Sequence, residues 1–183
     1  IEKLNINSIN ALLKIIEEPN KNIFFILINN NEKFLLPTLK SRCLTFKVNF
    51  TLNQTIDISN QILNENIFDL INIELINYYT TPGEIINLVN FAKDNDIELK
   101  DYSLVSFLSL LINNGYYKKN KLIKNILINF IELFFLKEFK SSIAKKSLLN
   151  FYHNFITKIY NTEKYNLDEE SIFLEFRSKL LHE

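Results

Sequence analysis

Residues that interrupt helices are scarce in this chain. Its 183 residues include only two glycines and three prolines, whereas a turn-rich β fold uses such residues at short intervals. The sequence therefore predicts long helices joined by short polar links. Hydrophobic residues make up 47% of the chain and charged residues 23%, which is typical of a globular protein with a real core in one domain or two small ones.

Charge and cysteine usage exclude several classes of protein. Lys and Arg together number 21, as do Asp and Glu, so the net charge is +0. This balance argues against a protein whose main role is to coat nucleic-acid phosphates. One cysteine, Cys43, and two histidines cannot form a disulfide or a zinc site of the usual spacing, so we expect no metal and a reducing, cytoplasmic location. No apolar run reaches the roughly 20 residues of a membrane span.

The first 49 residues combine helix and strand patterns. Apolar residues at positions 9, 12, 13 and 16 predict an amphipathic helix over Asn7–Glu18. The apolar run Ile23–Ile28 predicts a strand covered on both faces, as in a parallel sheet. A short helix is predicted around Pro37–Ser41, and alternation over residues 44–48 predicts a last strand.

After Asn49 the pattern changes to helices alone, which marks a domain boundary. Caps and apolar periodicity predict the remaining helices: Thr51–Asn64, Ile67–Tyr79, a helix that begins at the cap Thr80-Thr81-Pro82-Gly83, Tyr102–Asn114, Lys121–Phe139, Ile143–Tyr160 and Asp168–Leu181.

Four short motifs follow one another in the first part of the chain: Glu2-Lys3-Leu4-Asn5, then Asn10-Ala11-Leu12-Leu13-Lys14 with Glu17-Glu18-Pro19, then the run Phe24–Ile28, and finally Thr38-Leu39-Lys40-Ser41-Arg42-Cys43. In order and spacing, residues 1–48 resemble the clamp-loader branch of the AAA+ proteins and, within it, the delta-prime subunits of the bacterial DNA polymerase III clamp loader. Residues 50–183 match this family only by their helical layout, which is weak evidence alone.

The resemblance implies a mainly α fold in three parts. Residues 1–49 would be the C-terminal part of an AAA+ α/β domain with parallel-sheet strands, 50–98 a helical lid, and 99–183 an all-α collar that serves oligomerisation. The chain is expected to begin beyond the ATP-binding half of the family. It contains no G-x-x-x-x-G-K-[ST] sequence, and Gly83 and Gly115 are isolated, so we expect it to bind no cofactor by itself.

The resemblance also implies a function and partners. Motor subunits of the family carry a sensor arginine after the Pro-Gly of the lid, whereas Glu84 stands there in this chain. Because a carboxylate repels phosphate, a non-hydrolysing subunit is predicted rather than an enzyme. Its partners would be motor subunits of the gamma/tau type and the delta subunit, joined through the collar. Contact with the sliding clamp and primed DNA would be indirect, and no membrane is involved.

Arg42 is the strongest candidate for a site residue. Arg42 and Arg177 are the only arginines among the 21 basic residues, so an arginine within the Ser-Arg-Cys motif departs from the composition of the chain. Guanidinium can bind two phosphate oxygens at once, which lysine cannot. In the family this arginine reaches the γ-phosphate of ATP on a neighbouring motor subunit, as a trans arginine finger. The alternative is a surface ion pair worth about 0 to 1 kcal/mol.

The neighbours of Arg42 have more modest predicted roles. Thr38 and Ser41 are predicted to position Arg42, although both could simply cap the short helix. Cys43 is interpreted as a small buried hydrophobe, because no histidine is close enough in sequence to activate it. The adjacent carboxylates of Glu17 and Glu18 point about 100° apart on a helix, so they are interpreted as a helix end rather than as an acid–base pair.

Two other functions remain open from the sequence. The first is an ATPase motor subunit of the same family, which an intact phosphate loop upstream of Ile1 would favour. The second is a helical adaptor without a role at a nucleotide site, which burial of Arg42 in an intramolecular pair would favour. Lysines between positions 118 and 146 could contact DNA phosphates, although interspersed glutamates favour an ordinary solvated face.

Overall fold

The computed structural model describes residues 4–20, 22–29, 35–77, 80–141 and 145–181. The chain divides into two compact units, Ile1–Asn49 and Phe50–Glu183. The first motif of the resemblance falls partly on residues 1–3, which lie outside the described residues.

The described part of the first unit contains two helices whose ends are set by local chemistry. Helix α1 spans Ile6–Glu17, and the side chain of Asn5 caps it by accepting a hydrogen bond from the backbone N–H of Ser8 at 2.8 Å. Helix α2 spans Pro37–Lys40 and begins at a proline, a residue that suits the first helical position because it has no N–H to leave unpaired. Both helices agree with the sequence prediction to within a residue or two.

The predicted parallel-sheet strands are wrong for the described residues. Residues 23–28 and 44–48 have no strand structure, and several of their apolar side chains face solvent, with Phe24 92%, Ile26 89% and Phe46 80% exposed. A parallel strand is stable only when neighbouring strands bond its backbone on each side and other elements cover its faces. The described part of this unit offers these segments neither a paired strand nor a cover.

The second unit begins with helix α3, Leu52–Leu63, followed by helix α4, Ile67–Leu70. Thr51 and Gln54 form a reciprocal capping box at the start of α3. The single helix predicted over Ile67–Tyr79 is wrong. Helix α4 ends after one turn, and a separate 3₁₀ turn follows over Ile73–Leu75. The side chain of Asn72 accepts a hydrogen bond from the N–H of Glu74 and so competes with continuation of the helix. Tyr79 lies outside the described residues.

Helix α5 spans Pro82–Asp94 and begins as predicted. Thr81 is its N-cap and forms a capping box with Glu84. The face predicted to be apolar is buried, including Ile85, Leu88, Val89 and Ala92.

Five further α-helices follow in the described part of the second unit: α6, Leu104–Asn113; α7, Tyr116–Lys119; α8, Lys121–Ser141; α9, Lys145–Tyr165; and α10, Glu170–Leu180. The prediction for α8 holds at its start and is two residues short at its end. The predicted start of α9, Ile143, lies outside the described residues. Gly115 precedes α7 with a φ of +63°, a backbone conformation that suits glycine.

The core of the second unit is rich in aromatic rings. Phe135, Phe155 and Phe176 lie with ring centroids 5.7 to 6.3 Å apart, and Phe134 meets Phe176 edge to face at 5.5 Å. The same hydrophobic cluster extends from Ile67 through α5 to Leu181. Apolar contact therefore joins the segments assigned to lid and collar, and their division at residues 98 and 99 stays a prediction.

Crossing a bilayer requires a helix that is both long and apolar. Among the helices that the structure describes, none combines the length and apolar character needed for a membrane span.

Candidate functional site

Arg42 lies just after the short helix α2. The backbone N–H of Ser41 donates to the carbonyl of Pro37 at 2.9 Å, and that of Arg42 donates to Leu39 at 3.2 Å. The side chain of Leu39 is only 2% exposed, so the turn carries one buried apolar residue. The local sequence thus combines a proline that starts the turn, a buried leucine within it, and an arginine at its end.

The Arg42 guanidinium folds back over the end of this turn. Nη1 donates to the backbone carbonyl of Thr38 at 3.0 Å and lies 3.4 Å from the Ser41 hydroxyl. Nη2 lies 2.5 Å from a carboxylate oxygen of Glu17, the last residue of α1. A cation beside the carbonyl end of a helical turn is electrostatically favourable. These contacts give the guanidinium a defined position within its unit.

The ion pair between Arg42 and Glu17 is open to solvent. The side chains are 39% and 46% exposed, respectively. Exposed pairs of this kind contribute about 0 to 1 kcal/mol, so exchange of the Glu17 carboxylate for another anion costs little. The arrangement can therefore offer a planar, bidentate cation to an external phosphate or carboxylate.

Thr38 and Ser41 contact Arg42 in different ways. Thr38 contributes its backbone carbonyl, while the Ser41 hydroxyl donates to that same carbonyl at 3.0 Å. Both contacts hold the end of α2. Cys43 is a free, half-buried thiol. Sequence reasoning missed Glu17 as the partner of Arg42, because no local signal connects the end of α1 to the turn after α2.

Glu84 has a structural role at the start of α5. One carboxylate oxygen accepts from the N–H of Thr81 at 2.8 Å, which closes the capping box. The other accepts from the Asn129 side chain of α8 at 2.9 Å. The carboxylate thus caps α5 and links it to α8.

Several lysines of the second unit are engaged with glutamates. Lys118 pairs with Glu170 at 2.6 Å, and Lys124 pairs with Glu169. These contacts connect the start of α8 and the turn before it with the start of α10, and they oppose a phosphate-binding role for Lys118 and Lys124. The Lys124–Glu169 pair is not a solvated face, because its side chains are only 15% and 20% exposed. In the described part of the chain, no group of His, Cys, Asp and Glu could hold a metal ion.

Glu132 on α8 is a half-buried carboxylate. Burial raises the pKa of its carboxyl above the usual value, and burial together with the charge of Glu132 raises the pKa of the Tyr152 phenol. No ion pair or hydrogen bond of the Glu132 side chain occurs among the described residues. The carboxylate is thus partly desolvated without a compensating partner.

Glu132→Gln is expected to stabilise the protein at pH 7 and to leave its stability nearly unchanged at pH 4. The pKa of Glu132 is raised in the folded protein, so the folded state holds the carboxyl proton more tightly than the unfolded state does. Protonation of Glu132 therefore contributes fully to the free energy of unfolding below the ordinary pKa of 4.5, and this contribution is lost as the pH rises through the folded-state pKa. Glutamine carries no such penalty. Urea unfolding at both pH values measures the difference, with the exposed residue of the same helix, Glu138→Gln, as control. An equal effect at both pH values would contradict desolvation as the cause.

Comparison with known proteins identifies similar bacterial replication proteins. Residues 1–51 match the family model described as "DNA polymerase III, delta subunit". The chain is 29% identical to DNA polymerase III subunit delta' of Buchnera aphidicola subsp. Baizongia pistaciae, an alignment that covers 100% of the chain and 61% of that relative. It is also 29% identical to the same subunit of Buchnera aphidicola subsp. Schizaphis graminum, over 88% of the chain and 51% of the relative.

A third relative is a different subunit. DNA polymerase III subunit gamma of Buchnera aphidicola subsp. Schizaphis graminum is 34% identical over 55% of the chain and 30% of that relative. No solved structure matches. The chain therefore spans between about half and three fifths of the length of the two delta' relatives, and its resemblance to DNA polymerase III delta' subunits is confirmed.

Proposed function

We propose that this chain belongs to a delta-prime-type subunit of a DNA polymerase III clamp loader, which hydrolyses no ATP itself and completes the ATP site of a neighbouring motor. The observation that carries the proposal is the partly exposed side chain of Arg42, which is held at the end of α2 and paired with Glu17, within the segment that matches the family model. Thr38 and Ser41 would position it. Its role would be to stabilise charge on the γ-phosphate of ATP bound to the next subunit.

The geometry around Arg42 suits this role. The guanidinium is positioned by one carbonyl and one hydroxyl, so its planar fork has a defined orientation. Its Glu17 partner is exposed and exchangeable. An arginine buried in an intramolecular pair would instead favour the adaptor function. Arg42 forms an intramolecular pair with Glu17, but its side chain is 39% exposed.

The position of Glu84 supports a subunit that does not hydrolyse ATP. Its carboxylate is bonded to both Thr81 and Asn129, and a negative charge at this place opposes phosphate binding. The 34% identity to a gamma subunit favours the motor as the second candidate function. A motor would need a complete phosphate loop elsewhere in the full-length protein.

Exposed apolar side chains support partner contacts through α9, α10 and their connection. Leu149, Tyr160, Leu167 and Leu174 are between 40% and 61% exposed. Apolar and aromatic residues of this kind are common at the centres of protein interfaces. Motor subunits of the gamma/tau type and the delta subunit would bind there, and the sliding clamp and primed DNA would be contacted through the assembled loader.

Mixing the full-length protein with purified gamma/tau-type motors and delta subunit tests the proposal. We expect native mass measurement to detect one hetero-oligomer that contains all three proteins, and we expect no ATP turnover by the full-length protein alone. ATP turnover by the protein alone would favour the motor. A protein that joins no such complex would contradict the clamp-loader assignment altogether.

A further inference from the structure

Helices α5 and α8 line a groove, and of its residues the proposed clamp-loader function uses only Glu84 and its partner Asn129. It has a cavity volume of about 170 Å³, and it is closed on a third side by the segment around the 3₁₀ turn. Its walls are mainly apolar. The apolar residues that matter here are Leu75, Ile85, Leu88, Phe130, Leu133 and Leu136. We call this site the α5–α8 groove.

Two carboxylates are the charged groups of the α5–α8 groove. Glu84 comes from α5 and Glu132 from α8, and no Lys, Arg or His is among the described residues that line it. The Glu84 oxygens are already bonded to Thr81 and Asn129, which fixes that carboxylate at the groove. Glu132 has no such partners and is half-buried. The groove therefore combines a mainly apolar wall with a carboxylate, Glu132, that has no protein partner among the described residues.

The size of the groove limits what can occupy it. Sites for drug-sized ligands have volumes of about 300 to 1,000 Å³, whereas a cavity of about 150 Å³ accepts a molecule as small as benzene. A volume of about 170 Å³ therefore suits one side chain better than a nucleotide or another cofactor. Arginine and lysine have long apolar stems that pack on hydrophobic walls while their charged ends reach a polar group.

We propose that the α5–α8 groove binds a single basic side chain, presented on an apolar segment of a partner protein. The stem would pack on Leu133 and Leu136, and the charged end would pair with Glu132, with Glu84 adding negative potential. Opposite charges across a contact favour one partner over others. The inference does not depend on Arg42, which lies in the other unit.

A pair of capped tripeptides tests this inference with the full-length protein. The first has leucine, arginine and leucine, and the second replaces the arginine by citrulline, which has a similar shape but no charge. Binding is followed through ¹³C-labelled leucine methyl signals. We expect the arginine peptide to bind roughly tenfold more tightly, as a charge-assisted hydrogen bond allows, and to shift the signals of Leu133 and Leu136.

Two variants link the preference to its cause. Glu132→Gln is expected to remove the preference for arginine over citrulline, while Glu138→Gln, which changes an exposed carboxylate of α8 outside the groove, is expected to keep it. Equal binding of the two peptides, or an unchanged preference in Glu132→Gln, would overturn the proposal. The proposal would also be overturned if the arginine peptide shifted methyl signals only outside the groove. This measurement uses the protein without substitutions, so it does not depend on how any variant folds. If free arginine amide bound as tightly as the peptide, the groove would be a site for a small cation, and the proposed apolar segment of a partner protein would be overturned.

Discussion

Replacing Arg42 by alanine is expected to lower ATP hydrolysis at the neighbouring motor site by up to about 10³-fold, the lower end of the effect of trans arginine fingers in GTPases. Alanine removes both guanidinium nitrogens that could stabilise the transferred phosphoryl group. The present partner of Arg42 is an exposed carboxylate, so the lost ion pair accounts for only about 0 to 1 kcal/mol of stability. Assembly of the loader should therefore remain intact.

The measurement needs a loader in which only the site next to this subunit is active. Motors at the other sites would carry a disabled phosphate loop, and turnover would be followed with primed DNA and clamp present. Lys40→Ala is the matched control, because it removes an exposed positive charge from the same turn. Arg42→Lys should also be slow, since lysine keeps the charge but loses the planar fork. Unchanged ATP turnover in Arg42→Ala would refute the finger role. The clamp-loader assignment would still be tested separately, by the native mass of the complex with the other subunits.

Phe176→Ala is expected to reduce the free energy of unfolding of the second unit by about 3 to 5 kcal/mol. Phe176 is fully buried, and its ring lies 5.5 to 5.7 Å from those of Phe134, Phe135 and Phe155. Truncation would remove these ring contacts and leave a cavity where three helices meet. This loss is a large part of the roughly 5 to 15 kcal/mol that is typical of whole domains.

Urea unfolding followed by far-ultraviolet circular dichroism measures this loss. Leu174→Ala is the matched control on the same helix, because Leu174 is 40% exposed and its truncation should cost less than about 1 kcal/mol. Similar losses in the two variants would mean that α10 does not depend on Phe176 for its attachment to the core.

Helix starts were the features most accessible from the sequence. The capping boxes at Thr51 and Thr81, and the proline at the start of α2, lie where local sequence patterns predicted helices to begin. Such signals act over three or four residues and need no distant partner. The helix predicted over Ile67–Tyr79 failed for a related reason, because the Asn72 side chain accepts from the backbone N–H of Glu74 and competes with continuation of the helix.

The strands failed because their pattern depends on partners. An apolar run such as residues 23–28 indicates burial, but it cannot supply the neighbouring strands and covering helices that burial requires. In the described residues these runs remain in irregular coil with exposed side chains. Periodicity alone could not reveal this, since it reports what a segment prefers rather than what surrounds it.

The candidate site was only partly accessible from the sequence. The unusual arginine in the Ser-Arg-Cys motif identified Arg42 as a residue of interest, and the predicted turn placed it at a helix end. Its pair with Glu17 and the link from Glu84 to Asn129 were not accessible, because each joins residues far apart in the chain. The α5–α8 groove was missed for the same reason.

The sequence by itself determined where helices begin, which of their faces are apolar, and that one arginine stands within a family motif. These are short-range properties, since capping and side-chain spacing operate within one or two helical turns. The tertiary structure alone decided that α5 and α8 share a groove with two carboxylates, that three phenylalanines of α8 and α9 gather around Phe176 of α10, and that Arg42 rests on Glu17. Each of these depends on which surfaces meet when the helices pack, because packing brings together residues that no local pattern connects.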